Sequence, residues 1–311
     1  MTTVLVTGGA GFIGSHVVEE LVARDYHVGV VDALITGDLT NLERVLDDVE
    51  FWRTDVRDPH GLETVLRELQ PDVIVHLAAQ TNVRYSMDNP LADATVNAIG
   101  TLNLAALAAR HEVDRLVYAS SGGAVYGEPR YLPVDEEHPT HPISNYGASK
   151  LAGEHYVRVY AEAYDLDHVI LRYANVYGPR QDPRGEAGVI PIFLLRAARN
   201  EPLRVFGDGE QTRDFIFVQD VARVTADAVE RGHGTYNIGS GRETSINELI
   251  DLIREVTNRD VKVVYEHARP GEVRRIYLDV TRARKELDFE PETDLKEGIK
   301  LTWDWIRKHV L

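Results

Sequence analysis

Short runs of apolar, β-branched residues alternate with longer segments whose apolar positions recur at helical spacing. This rhythm narrows the possible folds more than any other feature of the chain. Thr3 to Val6, His27 to Asp32, Glu50 to Thr54, Val73 to Leu77, Arg115 to Ser120 and His168 to Arg172 read as strands. Ser15 to Arg24, Pro59 to Leu69, Asp93 to His111 and Tyr146 to Tyr164 read as the helices between them. Parallel strands require crossovers of about this length, so the pattern predicts an α/β chain whose parallel sheet is covered by helices. Past Asn175 the rhythm gives way to Pro- and Gly-rich connections such as Gly178-Pro179-Arg180-Gln181-Asp182-Pro183-Arg184-Gly185, and a second, smaller unit is expected there. The expected division is a first domain over residues 1–174, joined by parts of 212–240, and a second over 175–311.

Val4-Leu5-Val6-Thr7 runs directly into Gly8-Gly9-Ala10-Gly11-Phe12-Ile13-Gly14-Ser15, a strand followed by a glycine-rich turn and a helix start. Such a turn offers the helix N-terminus to a pyrophosphate. Gly8 and Gly11 let backbone approach phosphate, Phe12 and Ile13 open the helix, and Gly14 lets it pack on the strand. The second strand ends in Asp32, eighteen residues beyond Gly14. A carboxylate there accepts hydrogen bonds from the adenosine ribose hydroxyls and repels a 2′-phosphate, so the motif points to NAD rather than NADP. Asp55 and Val56, just past the third strand, are placed for the adenine edge, although Asp55 reads equally well as a helix cap. Leu77, Ala78 and Ala79 end the fourth strand with residues small enough to let a nicotinamide ribose lie against backbone. His76 reads as a buried strand histidine.

Tyr146-Gly147-Ala148-Ser149-Lys150 opens a helix, which places Tyr146 and Lys150 four residues apart on one face. With the glycine turn, and with Ser120-Ser121-Gly122-Gly123-Ala124-Val125-Tyr126-Gly127 at a strand end upstream, it resembles the extended short-chain dehydrogenase/reductase family, in its NAD-dependent epimerase/dehydratase group. The resemblance runs nearly end to end, through Asn175, Gln211-Thr212-Arg213-Asp214 and Arg269-Pro270-Gly271-Glu272. It implies a Rossmann-type doubly wound parallel sheet with a smaller C-terminal α/β substrate-binding domain, bound NAD and a UDP-sugar substrate. Within the group the chain is most similar to members that epimerise UDP-hexoses at C4.

Oxidising a sugar hydroxyl needs a base for its proton, and a phenol with a pKa near 10 is too weak at neutral pH unless positive charge favours the phenolate. Lys150 and the nicotinamide ring are expected to do this for Tyr146, with Ser121 hydrogen-bonding the sugar oxygen. Counting back from Val125-Tyr126-Gly127, the family's Ser/Thr position falls on Gly122, so Ser121 fits only if the loop holds one extra residue. Ser120 is the alternative. By the same resemblance Arg213, Arg269 and Asn175 hold the diphosphate, where guanidinium forks suit phosphate oxygens. Arg180 and Arg184 are weaker candidates. Ile276 falls where a small residue would admit an N-acetyl group, and a branched side chain there would fill that space.

Related 4,6-dehydratases and UDP-glucuronate decarboxylases share the oxidation step, but their strand-end loop carries a Glu where this chain has Ala124. A non-catalytic NAD-binding regulator is the reading from another class, and intact Tyr146 and Lys150 argue against it.

Lys and Arg number 34 against 50 Asp and Glu, a formal charge of −16, which disfavours nucleic acid as a partner. No cysteine is present, which removes disulfides, thiolate metal sites and a cysteine nucleophile and fits a cytoplasmic location. The twelve histidines show no paired ligand spacing, so no metal is expected. No apolar run is read as approaching the roughly 20 residues that span a bilayer. The segments Asp93 to His111 and Tyr146 to Tyr164 carry more apolar surface than one sheet face covers, and in the family two such helices per subunit make a dimer interface.

Overall fold

The computed structural model describes residues 1–184, 188–268 and 273–311. Strands β1 (Thr3–Thr7), β2 (His27–Val31), β3 (Val49–Trp52), β4 (Val73–His76), β5 (Arg115–Ser121) and β6 (Asp167–Tyr173) fall where the apolar runs predicted them. Helices α1 (Phe12–Ala23), α2 (Pro59–Leu69), α3 (Val83–Asp88), α4 (Pro90–Ala94), α5 (Gly100–Arg110) and α6 (Asn145–Tyr164) fill the intervals. Local chemistry sets their ends. Asp58 caps α2 by accepting from the His60 amide, with Pro59 in the first turn, and Ser144 caps α6 by accepting from the Gly147 amide.

Beyond β6 come β7 (Asn175–Tyr177), α7 (Val189–Ala198), β8 (Leu203–Phe206), β9 (Thr212–Arg213), β10 (Phe215–Phe217), α8 (Val218–Asp227) and β11 (Gly234–Ile238). The chain then forms β12 (Thr244–Ser245), α9 (Ile246–Thr257), β13 (Val263–Glu266), α10 (Thr281–Leu287) and α11 (Leu295–His309). The main sheet has seven parallel strands in the order β11-β6-β5-β4-β1-β2-β3. Its direction of growth reverses between β1 and β4, which opens a crevice at the carboxyl ends of those two strands. This is the doubly wound α/β architecture expected from the sequence.

Both faces of the sheet are buried, and successive residues serve opposite cores. Val4 and Val6 join the core that includes Val17, Leu21, Val221 and Val224 of α1 and α8, while Leu5 joins the one with Leu62, Leu66, Leu104 and Val157 of α2, α5 and α6. Burial on two sides is why these strands read as continuous apolar runs rather than alternating ones. A third cluster of buried residues gathers Phe193, Leu194, Leu249, Ile253, Ile299 and Trp303. The remaining strands pair as β7 with β10, β8 with β13 and β9 with β12.

The helix expected from Asp93 starts at Pro90 and runs to Arg110, with a π-helical stretch over Thr95–Ile99 joining α4 to α5. Its 21 residues are long and apolar enough to cross a membrane, contrary to the sequence reading, but half of the stretch is packed inside the fold. The cause is the Ala- and Leu-rich composition that a core helix shares with a membrane span.

Candidate active site

The carboxyl ends of β1, β2, β4 and β5 lie side by side, with Thr7 level with Val31 and His76, and His76 level with Tyr118. The glycine turn crosses the crevice between β1 and β4. Gly8 adopts a φ of +73°, and a Cβ on it would come within 2.7 Å of the Ala78 amide nitrogen. A Cβ on Gly14 would lie 2.0 Å from the Gly8 carbonyl oxygen, so helix and turn close on each other only because both residues lack side chains. α1 then opens at Phe12 with no side-chain cap and no acidic residue in its first turn, leaving its amides for an anion.

Asp32 is buried at the end of β2, where its carboxylate accepts from the Ala10 amide at 3.0 Å and the Leu34 amide at 2.8 Å. Burial raises its pKa and these two bonds oppose the rise. Gly37 packs against the same carboxylate, and a Cβ there would meet both oxygens at 2.8 Å. Leu77, Ala78 and Ala79 are half-buried along the opposite wall. The cradle, the uncapped helix and the acid therefore fit a dinucleotide. Asp55 is not the cap of α2, which is Asp58. It instead holds Arg57 through a 2.6 Å ion pair, with Val56 buried against Gly100. His76 is buried between the hydroxyls of Thr7 at 2.7 Å and Thr101 at 3.0 Å, and burial, followed by the charge of Lys150, depresses its pKa to about 3.

Tyr146 and Lys150 emerge from the first turns of α6 against β5. The Ser86 hydroxyl accepts from the Tyr146 amide at 3.0 Å, tying α6 to α3. Lys150 is buried with Nζ 4.4 Å from the Tyr118 ring centroid. Burial pulls its ammonium down to about 7, while the charges of Glu154 and Asp93 hold it up. Burial also pushes the Tyr146 phenol up to about 12, a hydrogen bond with Ser121 opposes this, and Asp93 adds to the rise. The protein's own groups thus raise the phenol.

The two serines have different partners. Hydrogen bonding with Ser121 acts on the Tyr146 phenol, whereas Ser120 is buried and donates to Glu154 Oε1 at 2.6 Å. Gly122 turns away from the site, since a Cβ there would meet Leu278 Cδ1 at 2.7 Å. Gly123 opens toward Asn175, whose Oδ1 would lie 3.6 Å from a Cβ. Asn175 begins β7 and thereby stands beside the Ser121 loop. Arg213 lies on β9, where it donates to the Thr212 carbonyl at 2.7 Å, and Thr212 N donates to the Arg274 carbonyl. Arg269 lies outside the described residues. Arg180 donates to Ser15 Oγ at 3.2 Å and pairs with Glu19, and Arg184 pairs with Asp182, so both are engaged within the chain. Ile276 is buried in the main core, with half-buried Tyr277 next to it. Among the described residues no group of three or more His, Asp or Glu side chains is arranged to hold a metal.

Sequence reasoning missed the polar groups beneath the site. Gln80, Asp93 and Asn97 hydrogen-bond one another, and Glu154 and Arg172 form a buried pair at 2.7 Å. A signal was present for the first set: Asp93, Asn97 and Thr101 recur at four-residue spacing on an otherwise Ala- and Leu-rich helix.

The model of the GDP-mannose 4,6 dehydratase family matches residues 5–302. A UDP-glucose 4-epimerase of Mycolicibacterium smegmatis is 44% identical over 307 residues, covering 97% of this chain and 98% of that protein. Among solved structures, a Thermotoga maritima UDP-glucose 4-epimerase with UDP-glucose superposes with a TM-score of 0.96 at 44% identity over all of both chains. A Thermus thermophilus UDP-glucose 4-epimerase in complex with NAD gives a TM-score of 0.94 at 42% identity over 99% of this chain and 100% of that one. With the nucleotide cradle and the Ser121, Tyr146 and Lys150 arrangement already in place, these matches show that the chain belongs to the GDP-mannose 4,6 dehydratase family of NAD-dependent epimerases and dehydratases.

Proposed function

We propose that the protein is a UDP-glucose 4-epimerase, interconverting UDP-galactose and UDP-glucose through a transient 4-keto sugar. What supports this reading is the pairing of Tyr146 and Lys150 one turn apart on α6, packed against the strand that ends in Ser121, with the nucleotide cradle of Gly8 to Gly14 and Asp32 on the neighbouring strands of the same sheet. Resemblance to the Thermotoga maritima and Thermus thermophilus enzymes, whose structures hold UDP-glucose and NAD, supports the same assignment.

The cleft's residues divide the work. Gly8, Gly11, Phe12, Ile13 and Gly14 seat a pyrophosphate, and Asp32 accepts from ribose hydroxyls. NAD held by these residues would supply the hydride acceptor and donor and, when oxidised, a positive charge. Tyr146 takes the proton of the 4-hydroxyl and later returns it, and Ser121 donates to the sugar oxygen in both directions. Asn175, Arg213 and Arg269 hold the diphosphate, which leaves the keto sugar free to present its other face. Gly123 and Ala124 offer no acid for elimination of water, so the reaction stops at reversible transfer. Ile276 and its neighbours favour glucose and galactose over N-acetylated sugars, because a close-packed wall yields volume reluctantly.

Two copies of the chain pair through the exposed apolar faces of the helix from Pro90 to Arg110 and of α6, where Leu91, Ile99, Val159 and Tyr164 are exposed.

The test is to supply UDP-galactose to the purified protein without added cofactor and to measure UDP-glucose formed and nucleotide released on denaturation. Turnover with co-purified NAD, abolished about 10²–10⁴-fold in Tyr146→Phe with UDP binding intact, is the expected result. Undiminished turnover in Tyr146→Phe would assign the base elsewhere. UDP-N-acetylgalactosamine run in parallel tests the sugar range, and an equal kcat/KM would remove Ile276 as a gate.

A further inference from the structure

Asp93 is fully buried on the helix that backs the site, at the residue pair preceding its π-helical stretch. Its Oδ1 accepts from Gln80 Nε2 at 2.6 Å and from Asn97 Nδ2 at 3.2 Å, and its Oδ2 has no partner. The Asn97 amide is oversubscribed, because the same nitrogen also faces the Gln80 carbonyl at 2.9 Å and Ser149 Oγ at 3.1 Å, with two hydrogens to share. Asp93 is therefore served by one full neutral donor and part of another. A buried carboxylate so thinly solvated needs a compensating charge.

The candidates for that charge are few. Among the described residues the buried cations are Lys150 and Arg172. Arg172 is committed to Glu154 by two bonds, at 2.9 and 2.7 Å, and Glu154 takes a third from Arg158. Lys150 remains. Asn97 bonds both Asp93 and Ser149, the residue before Lys150, and Ser149 in turn donates to the Tyr146 carbonyl at 3.0 Å, so a continuous hydrogen-bonded path joins Asp93 to the turn that carries both reacting groups.

We propose that Asp93 is a positioning residue for the reaction: its buried carboxylate is the counter-charge that keeps Lys150 protonated beside Tyr146 and so sets the pH window of turnover. This rests on the reading of Tyr146 and Lys150 given above. The titratable and charged groups around Lys150 are His76 on β4, Tyr118 on β5, Tyr146 and Glu154 on α6, Arg172 on β6 behind Glu154, and Asp93. His76 is held neutral by burial, burial raises Tyr118 well above its ordinary range, and Glu154 is already paired. Glu154 is the larger of the two negative charges that hold Lys150 up, but Arg172 and Arg158 share it, whereas Asp93 has no cation bonded to it and favours the protonated forms of both Lys150 and Tyr146.

The test compares the holoenzyme with its near-isosteric variant Asp93→Asn. Losing the charge should carry both limbs of the kcat/KM profile for UDP-galactose to lower pH, by about one unit. A readout apart from activity is the phenolate absorbance near 295 nm, taken as a difference against Tyr146→Phe, whose onset should move the same way. Asp93→Glu, which restores the charge, should return both transitions toward their original positions. A fall in rate with both limbs and the absorbance onset unmoved would reduce Asp93 to a packing role and overturn the proposal. Loss of turnover in Tyr146→Phe and Lys150→Met alongside that result would leave the functional reading standing, and retention of turnover in both would instead reject that reading. Thermal melts of Lys150→Met, Asp93→Asn and the double variant cover a folding failure. The proposal requires the double variant to melt above the sum of the single losses, or to fold where Asp93→Asn alone does not. Additive losses, or a double variant that also fails to fold, would overturn it.

Discussion

Two adjacent serines at the end of one strand meet different parts of the same helix. Ser121 is the last residue of β5 and partners Tyr146 in the first turn of α6. Ser120 is buried one residue earlier, where its hydroxyl donates to Glu154 about two turns further along α6, which is also held by Arg172. Their alanine variants should therefore fail differently. Ser121→Ala should lower kcat about 10²-fold or more by removing a donor to the reacting oxygen, with little change in melting temperature. Ser120→Ala should leave kcat nearly intact and cost about 1–3 kcal/mol, because it deprives a buried charge of a hydrogen bond. Kinetics and melts on the pair decide this, and a larger rate loss at Ser120 would reverse the assignment.

At the scale of elements, the glycine turn and α1 form a single device. The Gly14 Cβ position is filled by Gly8 backbone, and backbone cannot swing aside as a flexible side chain can. Gly14→Ala should push α1 off the turn, costing about 1–3 kcal/mol and weakening NAD binding measurably by calorimetry. An unchanged NAD affinity would show that the turn does not depend on this contact. The paired-helix face yields a second prediction: Val159, exposed on α6, is dispensable to a monomer and belongs to the proposed contact. Val159→Glu should convert a dimer to a monomer by light scattering with its melt broadened, whereas an unaltered mass would move the interface elsewhere.

The same scale explains what could be read from the sequence. The six strands of the first half were legible because they are buried on both faces and so appear as unbroken apolar runs. The glycine turn and Asp32 were legible because their spacing is fixed by one strand, one turn and one helix. Less could be seen where a residue's duty is set by a partner distant in sequence. Asp55 meets Arg57 rather than capping α2, Arg180 is drawn to Glu19 across the molecule, and Ser120 differs from Ser121 only through Glu154 on α6. The π-helical stretch that turns Asn97 inward leaves no mark on apolar periodicity either, because one extra residue shifts the face without changing composition.

For the whole molecule, buried histidines make the fold sensitive to acid. Three buried histidines have pKa values pulled down by burial: His16 to about 4, His76 to about 3 and His168 to about 4. Nearby positive charge adds to the effect, from Arg180 at His16, Lys150 at His76 and His233 at His168. In the unfolded chain each titrates near 6.5. Between these values the unfolded chain binds protons that the native chain refuses, so the stability these groups contribute is complete above about pH 6.5 and is lost as pH falls toward 4. Each fully shifted histidine steepens the dependence by at most about 1.4 kcal/mol per pH unit. Relief of self-repulsion works the other way, because acid reduces the formal charge of −16, but that charge is spread over a solvated surface and screened by salt. The histidines should win. Melting temperature at constant ionic strength should fall from pH 7.5 to 5.5, and His168→Gln should flatten the decline by about a third. His168 is the test residue of choice because it sits at the amino end of β6, opposite the edge that carries Ser121 and Tyr146, so the variant should keep its turnover. A melting temperature that holds steady or rises over this range would mean that charge repulsion, not histidine burial, governs the acid response.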